Sequence, residues 1–401
     1  MLNIISFLGL LTMVFLAWLI SSHKNKFPWR VVLSGLGLQL VLGFFVLQTE
    51  IGRGLFNGAR SFFEKIIGFS DAGAKMVFGS LFTKESFALN VLPPIIFVSA
   101  VLAILFHFGI MQRIVRGMAW VMVRLMNTSG SESLTASAEV FLGQTEAPLV
   151  IRPYIPTMTQ SEILAMMIAG MATVSGGTLA AYIGFGMDAG YLLAASIMGA
   201  PAALLIAKCI LPETEESPTK GVVKLEIKKQ DSNFLDAACR GAGEGLKLAV
   251  NVAAMLIAFV ALAALCNFIL GLLPEVYGLP VSVERVLGWI FWPVAAVMGV
   301  PFDDVSALAQ LLGQKMFLNE FVAYMELAKI QSELSPRTTM IATFALCGFA
   351  NFASVAIQIG GIGALVPERR KDLAKFGIRA MIGGMLATNM TACVAGIFSA
   401  L

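Results

Sequence analysis

Four short polar strings interrupt long apolar stretches of this 401-residue chain. Gly143-Gln144-Thr145-Glu146-Ala147-Pro148 and Asn319-Glu320-Phe321-Val322-Ala323-Tyr324 each set a carboxamide beside a carboxylate. Thr173-Val174-Ser175-Gly176-Gly177-Thr178 supplies hydroxyls, and Gly348-Phe349-Ala350-Asn351-Phe352-Ala353-Ser354 adds a carboxamide, a hydroxyl and aromatic rings. Carboxylate, carboxamide and hydroxyl groups suit a neutral ligand rich in hydroxyls and amide-like edges. No Arg or Lys lies in the four strings, so a phosphate or carboxylate on the ligand would lack its usual cationic partner. Phe349 offers a stacking face to a ring, although simple packing accounts for it equally well. A sugar joined to a heterocycle fits this mixture, and so does a simple polyol.

The carboxylates need explaining because their surroundings are so apolar. Hydrophobic residues make up 58% of the chain, charged ones 13%, and the mean hydropathy is +0.83. A soluble domain must show water a polar surface, which this composition cannot supply; the bilayer is its natural solvent. An acid at the centre of a spanning helix costs about 2.5–3.5 kcal/mol, so Glu139, Glu146 and Glu320 require a partner or a task. Arg152 is a candidate partner for Glu146. The net charge of +3 carries no block of like charge and gives no reason to expect nucleic acid as a partner. The two histidines, His23 and His107, cannot form an HExxH motif, and no phosphate-binding GxxxxGK[ST] loop is present. Five cysteines without a CxxC pair read as small buried hydrophobes. No cofactor is expected beyond a coupling ion.

A span needs about 20 mostly apolar residues. Residues 2–20, 31–49, 91–111, 162–186, 190–211, 248–272, 338–363 and 376–400 qualify, giving an all-α polytopic membrane protein of about eight transmembrane helices. The first run has no basic residue before it and reads as a mature span rather than a cleaved signal. Residues 131–157 and 284–332 carry polar groups with Gly and Pro in mid-segment and read as re-entrant hairpins, although 284–300 alone could pass as a span. Such backbone survives at membrane depth only where protein or a wet cavity satisfies it. Hairpin, helix, helix over 131–211 recurs over 284–401, and an odd number of crossings between the two turns the second unit upside down. Inverted repeats with broken helices are the usual build of secondary transporters, with the site near the midplane. Residues 1–130 would then be a scaffold, joined by a loop and scaffold helix over 212–283.

Basic residues at Lys24, Lys26, Arg30, Arg113, Arg116, Arg124, Lys220, Lys224, Lys228, Lys229, Arg369, Arg370, Lys371 and Lys375 fall on one side by this count, which the positive-inside rule makes cytoplasmic. Both termini then face outward. Residues 50–90 mix Arg53, Arg60, Lys65, Lys75 and Lys84 with Glu50, Glu64, Asp71 and Glu85 and read as a surface helix along the membrane interface. A channel would favour rings of carbonyls or charges along an open pore. An intramembrane enzyme using Glu139 or Glu320 as acid or base lacks a metal cluster or a nucleophile paired with a base.

The strings GQTEAPLVIRPYIPTMTQSE, NEFVAY, ALCGFANFASVAI and PERRKDLAKFGIRA closely resemble those of the concentrative nucleoside transporters, and the similarity runs over nearly the whole chain. The resemblance implies a homotrimer of scaffold and mobile transport domains with elevator-like alternating access, importing nucleosides across a bacterial inner membrane. It implies that Gln144, Thr145 and Glu146 hold the nucleobase and that Glu320, Asn351 and Ser354 hold the ribose hydroxyls, with Phe349 and Leu248 lining the pocket. Thr178 stands where relatives often have an apolar residue facing the base. A hydroxyl there would shift purine–pyrimidine preference, unless it bonds its own backbone. The implied cation site uses Thr173 with the Leu142 and Val174 carbonyls, but Glu139 replaces the Asn of sodium-coupled relatives. Ionised, Glu139 would strengthen sodium binding. Burial instead favours the protonated form, which would make it a proton carrier. Coupling to Na+ and coupling to H+ are both expected readings.

Overall fold

The computed structural model describes residues 1–82, 87–221, 231–275 and 280–399, and among them every regular element is helical. Lys84, Glu85, Lys224, Lys228 and Lys229 lie outside the described residues. Among the described residues six helices are long and apolar enough to span a membrane, or seven if a bent pair counts as one span. The difference from eight lies at 338–363, where the chain breaks into α15 (Pro336–Leu346) and α16 (Phe352–Leu365). Residues 91–111 also differ from expectation: α4 (Phe87–His107) and α5 (Ile110–Met126) meet at 78° through Gly109, whose φ of +76° stops the helix. Residues 50–78 form α3 (Glu50–Phe78), a strongly amphipathic and mostly exposed helix.

Burial sorts the spans into two kinds. In α1 (Leu2–Leu19), α2 (Trp29–Gln48) and α11 (Phe234–Leu270) only 33%, 28% and 22% of the apolar window is buried. In α10 (Ala189–Ile210) the share is 89%, and in the segment ending with α17 (Arg370–Phe398) it is 83%. Outer helices therefore present apolar faces outward, while inner ones surround the polar strings. Cysteines follow the same division: Cys209, Cys347 and Cys393 are buried as expected, but Cys239 is exposed and Cys266 only half-buried on the outer α11.

The inner helices are locked at one end by two capping boxes. Ser129 opens α6 (Gly130–Glu139) with Glu132 reaching back to the Ser129 amide at 2.7 Å, and Thr159 opens α8 (Gln160–Ala172) with Glu162 at 2.8 Å. Lys208, near the end of α10, lies 2.8 Å from Glu132 and donates to Ser161 at 2.9 Å. Glu162 also accepts from Ser131 and Ser217. Removing one member of such a buried pair typically costs about 3–5 kcal/mol, so this cluster fixes three helix ends and the following loop together.

The run at 162–186 is continuous in hydropathy but broken in space. α8 ends at Ala172, Thr173 and Ser175 are extended, and α9 (Gly176–Gly184) starts afresh on a Ser175 cap. The same happens at 347–351, where Asn351 caps α16 through the Ser354 amide at 2.8 Å. Residues 284–332 also divide: α12 (Val283–Val297) is a separate helix packed against α13 (Val305–Phe317), and the polar turn lies between α13 and α14 (Glu320–Ile330). The first predicted hairpin consists of α6, a turn, and the single-turn α7 (Ala147–Val150). The two breaks abut. A side chain at Gly348 would meet the Met171 carbonyl oxygen at 2.7 Å and the Ala172 carbonyl carbon at 3.1 Å, so only glycine permits that approach.

Candidate functional site

Three helices begin at one place: α9 behind Ser175, α14 behind Asn319 and α16 behind Asn351, each capped by that residue's side chain. Helix N-termini carry partial positive charge, which favours the carboxylate of Glu320 in the first turn of α14. These caps border a cavity of about 810 Å³, within the roughly 300–1,000 Å³ of small-molecule pockets. Gln144, Thr145 and Glu146 reach it from the first hairpin turn, and Thr178 from α9. Glu320 enters from α14, Phe349, Asn351 and Ser354 from the second break, and Leu248 from α11. The structure thus brings together all nine residues singled out for the ligand.

Their polar atoms are linked. Glu320 accepts from the Tyr182 hydroxyl at 3.0 Å and from the Asn351 carboxamide at 2.9 Å. Gln144 donates to Ser354 at 3.2 Å and accepts from Gln358 at 3.1 Å. A carboxylate has about four lone-pair sites, so Glu320 keeps acceptor capacity for a ligand beside Tyr182 and Asn351. Thr178 pairs with the Ser175 hydroxyl at 2.7 Å, not with its own backbone. Glu146 faces the cavity, and among the described residues the expected Arg152 pairing does not form.

Of the four residues singled out for a cation, only Leu142 lines the cavity. Glu139 is 1% exposed, and among the described residues neither carboxylate oxygen has a hydrogen-bond partner. Thr173 donates to the Ala169 carbonyl at 2.9 Å, which leaves its lone pairs free. Thr173 and Val174 lie past the end of α8, where carbonyls have no intrahelical amide to accept from. Carboxylate, hydroxyl and carbonyl oxygens are the donor types that hard cations take.

Sequence reading missed several groups. Tyr182 and Gln358 are single polar positions on apolar helices, and only their contacts reveal a role. Tyr182 also stacks on Tyr324 with ring centroids 4.3 Å apart and meets Phe321 at 5.0 Å, behind Glu320. Lys315 is fully buried and donates to the Ala345 carbonyl and to Thr388. At the other end the cavity is lined by His107, Arg152, Asp231, Arg240 and Glu244. Arg240 grips Asp231 at 2.7 and 3.0 Å, and that hydrogen-bonded pairing holds the Asp231 carboxyl below the usual carboxylate range. Aromatic rings thus back Glu320, and charged groups also border the cavity.

Residues 8–81 and 191–396 match families described as the N- and C-terminus of the Na+ dependent nucleoside transporter, and residues 88–189 match one described as nucleoside recognition. Mouse solute carrier family 28 member 3 is 41% identical over 99% of this chain, and rat sodium/nucleoside cotransporter 1 is 41% identical over 98% of it. The chain spans 59% and 64% of those two proteins. The transporter YutK of Bacillus subtilis (strain 168) is 43% identical, with 98% of each chain covered. CNTnw in an inward-facing substrate-bound state superposes with a TM-score of 0.93 at 39% identity, covering 99% of this chain and 98% of that one. A CNTnw variant in an outward-facing state gives 0.92 at 38% identity, with the same coverage.

Proposed function

The chain belongs to the Na+ dependent nucleoside transporter family, and from that membership we propose that it imports nucleosides through a bacterial plasma membrane by cation-coupled alternating access. The observation that carries this reading is the convergence of three neutral hydrogen-bonding side chains (Gln144, Asn351, Ser354) and the doubly held Glu320 on one cavity. Gln144, Thr145 and Glu146 take the nucleobase edge. Glu320, Asn351 and Ser354 take the ribose hydroxyls. Phe349 and Leu248 cover the apolar faces. The cation sits at Glu139 with Thr173 and the carbonyls of Leu142 and Val174, and it is either a sodium ion or a proton.

Residues 131–211 and 284–401 form the moving part in this reading, and 1–130 with 212–283 form the scaffold of a homotrimer. Its exposed apolar outer helices support that division. Movement is elevator-like, and both termini face outward. The charged end of the cavity then opens to the cytoplasm, while the Tyr182–Tyr324–Phe321 cluster closes the other side.

Uptake of labelled uridine and adenosine into proteoliposomes tests the proposal, with a sodium gradient and a pH gradient each imposed alone. Accumulation above equilibration under one of them is expected, and mere equilibration under both rejects coupled transport. Competition by uracil or ribose as strong as that by uridine would move the cargo to a nucleobase or sugar. Thr178→Val tests the base contact. It removes the hydroxyl now paired with Ser175 and should change the adenosine-to-uridine uptake ratio by about three- to tenfold, the worth of one hydrogen bond. An identical ratio would assign Thr178 to packing.

A further inference from the structure

Glu139 and Gln144 stand at the two ends of the proposed coupling, and one glycine and one glutamine join them. A methyl group on Gly170 would lie 2.8 Å from Gln358 Nε2, 3.0 Å from Glu139 Oε1 and 3.0 Å from Gln144 Cβ. These three side chains therefore share the small space over the bare Cα of Gly170. Gln358 is wholly buried. Its amide nitrogen donates to the Met167 carbonyl at 3.1 Å and to Gln144 Oε1 at 3.1 Å. The Met167 carbonyl can only accept, which fixes which end of the carboxamide is nitrogen. Both N–H groups are then used, and among the described residues Gln358 Oε1 is left without a partner, as are both oxygens of Glu139.

A bare carboxylate is the stronger acceptor in this space, because hydrogen bonds to ionised groups are roughly twice as strong as neutral ones. With its charge exposed, Glu139 should draw the Gln358 N–H away from Gln144. The structure shows that N–H on Gln144, and among the described residues none on Glu139. We propose that Gln358, seated over Gly170, is a positioning residue that couples the two sites: it orients Gln144 for the ligand only when a cation occupies Glu139. The ordered path runs from Gln358 through Gln144 to Ser354, whose amide is held by Asn351, which in turn holds Glu320. A cation signal entering at Glu139 thus reaches both halves of the ligand site. This inference rests on the cation-coupled reading above.

Calorimetric binding of uridine to the purified full chain tests it, with sodium against choline and, separately, acid against alkaline buffer. The condition that shifts wild-type affinity identifies the cation, and coupling of about 5–150-fold is the usual range. Gln358→Met keeps the approximate shape of the side chain but cannot donate a hydrogen bond and accepts only weakly. The ratio of uridine Kd without and with the cation should fall to within about twofold of unity, an essentially complete loss of coupling. A preserved ratio, even with weaker binding overall, would overturn the proposal and leave Gln358 a packing residue. Should Gln358→Met fail to fold, Gly170→Ala decides, since its methyl meets only side-chain atoms and keeps every polar group while wedging them apart. It should also lose the ratio, and an intact ratio there overturns the proposal. A wild type indifferent to both ions refutes the coupled-transport reading itself, which separates the two failures.

Discussion

Glu320→Gln is expected to lower uridine uptake by about 100-fold, the worth of roughly 3 kcal/mol of charge-assisted hydrogen bonding, while the protein still inserts and purifies normally. The carboxylate spends one lone pair on Tyr182 and one on Asn351 and still has acceptor capacity for the ligand. Glutamine replaces one oxygen by a donor. Asn351 presents an N–H and cannot adapt, so the new amide nitrogen must face Tyr182, whose hydroxyl can rotate to accept it. What remains for the ligand is one neutral oxygen and one N–H, where two vicinal hydroxyls had met a charge. Substrate analogues sharpen the test. A uridine lacking the ribose 2′ and 3′ hydroxyls should be penalised in the wild type but gain little further penalty in Glu320→Gln. Additive losses would mean that Glu320 acts elsewhere, and normal uptake would remove it from the site.

Much of this site was legible in the sequence because its residues are polar groups in places where polarity is costly. Gln144, Glu146, Glu320, Asn351 and Ser354 stand out against the apolar stretches around them, and all five border the cavity. The helix breaks were not legible. Hydropathy averaged over 162–186 and 338–363 is high despite the polar strings inside them, and a window average cannot tell a spanning helix from two short helices meeting at a cap. Ser175 and Asn351 carried the signal: each is followed three residues later by the amide it caps, Thr178 and Ser354. Reading them as ligand groups alone concealed their second use. Gln358, Tyr182 and Lys315 were hidden for a different reason. A lone polar residue on an apolar helix gives no spacing to read, and its meaning comes from a partner more than 100 residues away for Tyr182 and Gln358.

The breaks also explain why three helix starts can share one cavity. A continuous helix satisfies its own amides and has no first turn at mid-depth to offer. Interrupting it creates one, and the capping side chains Ser175, Asn319 and Asn351 keep part of that new polarity internal. The Gly176 amide donates to the Phe141 carbonyl at 3.1 Å, which ties the first break to the hairpin turn bearing Gln144. A movement of that turn is therefore felt at α9.

Glu139→Asn should shift the energetics of uptake toward sodium. A carboxylate 1% exposed, with neither oxygen partnered among the described residues, is not a resting arrangement for a bare charge, since burying an unpaired ion costs several kcal/mol even after relaxation. A proton or a sodium ion resolves it. Asparagine keeps one oxygen as a ligand beside Thr173 and Val174 but can carry no proton in exchange for a charge. Stimulation of uptake by an inward pH gradient should therefore vanish, falling from a coupling of about 5–150-fold to near unity, while a sodium gradient drives uptake as well as before or better. Glu139→Leu removes both options and should leave only equilibration of uridine, without accumulation. The two variants separate the ions: a wild type driven by pH alone and an asparagine variant driven by sodium alone assign the native coupling to a proton. Sodium dependence of equal strength in both proteins, with no response to pH in either, assigns it to sodium. Coupling that survives unchanged in Glu139→Leu would place the cation elsewhere and return Glu139 to a purely structural role.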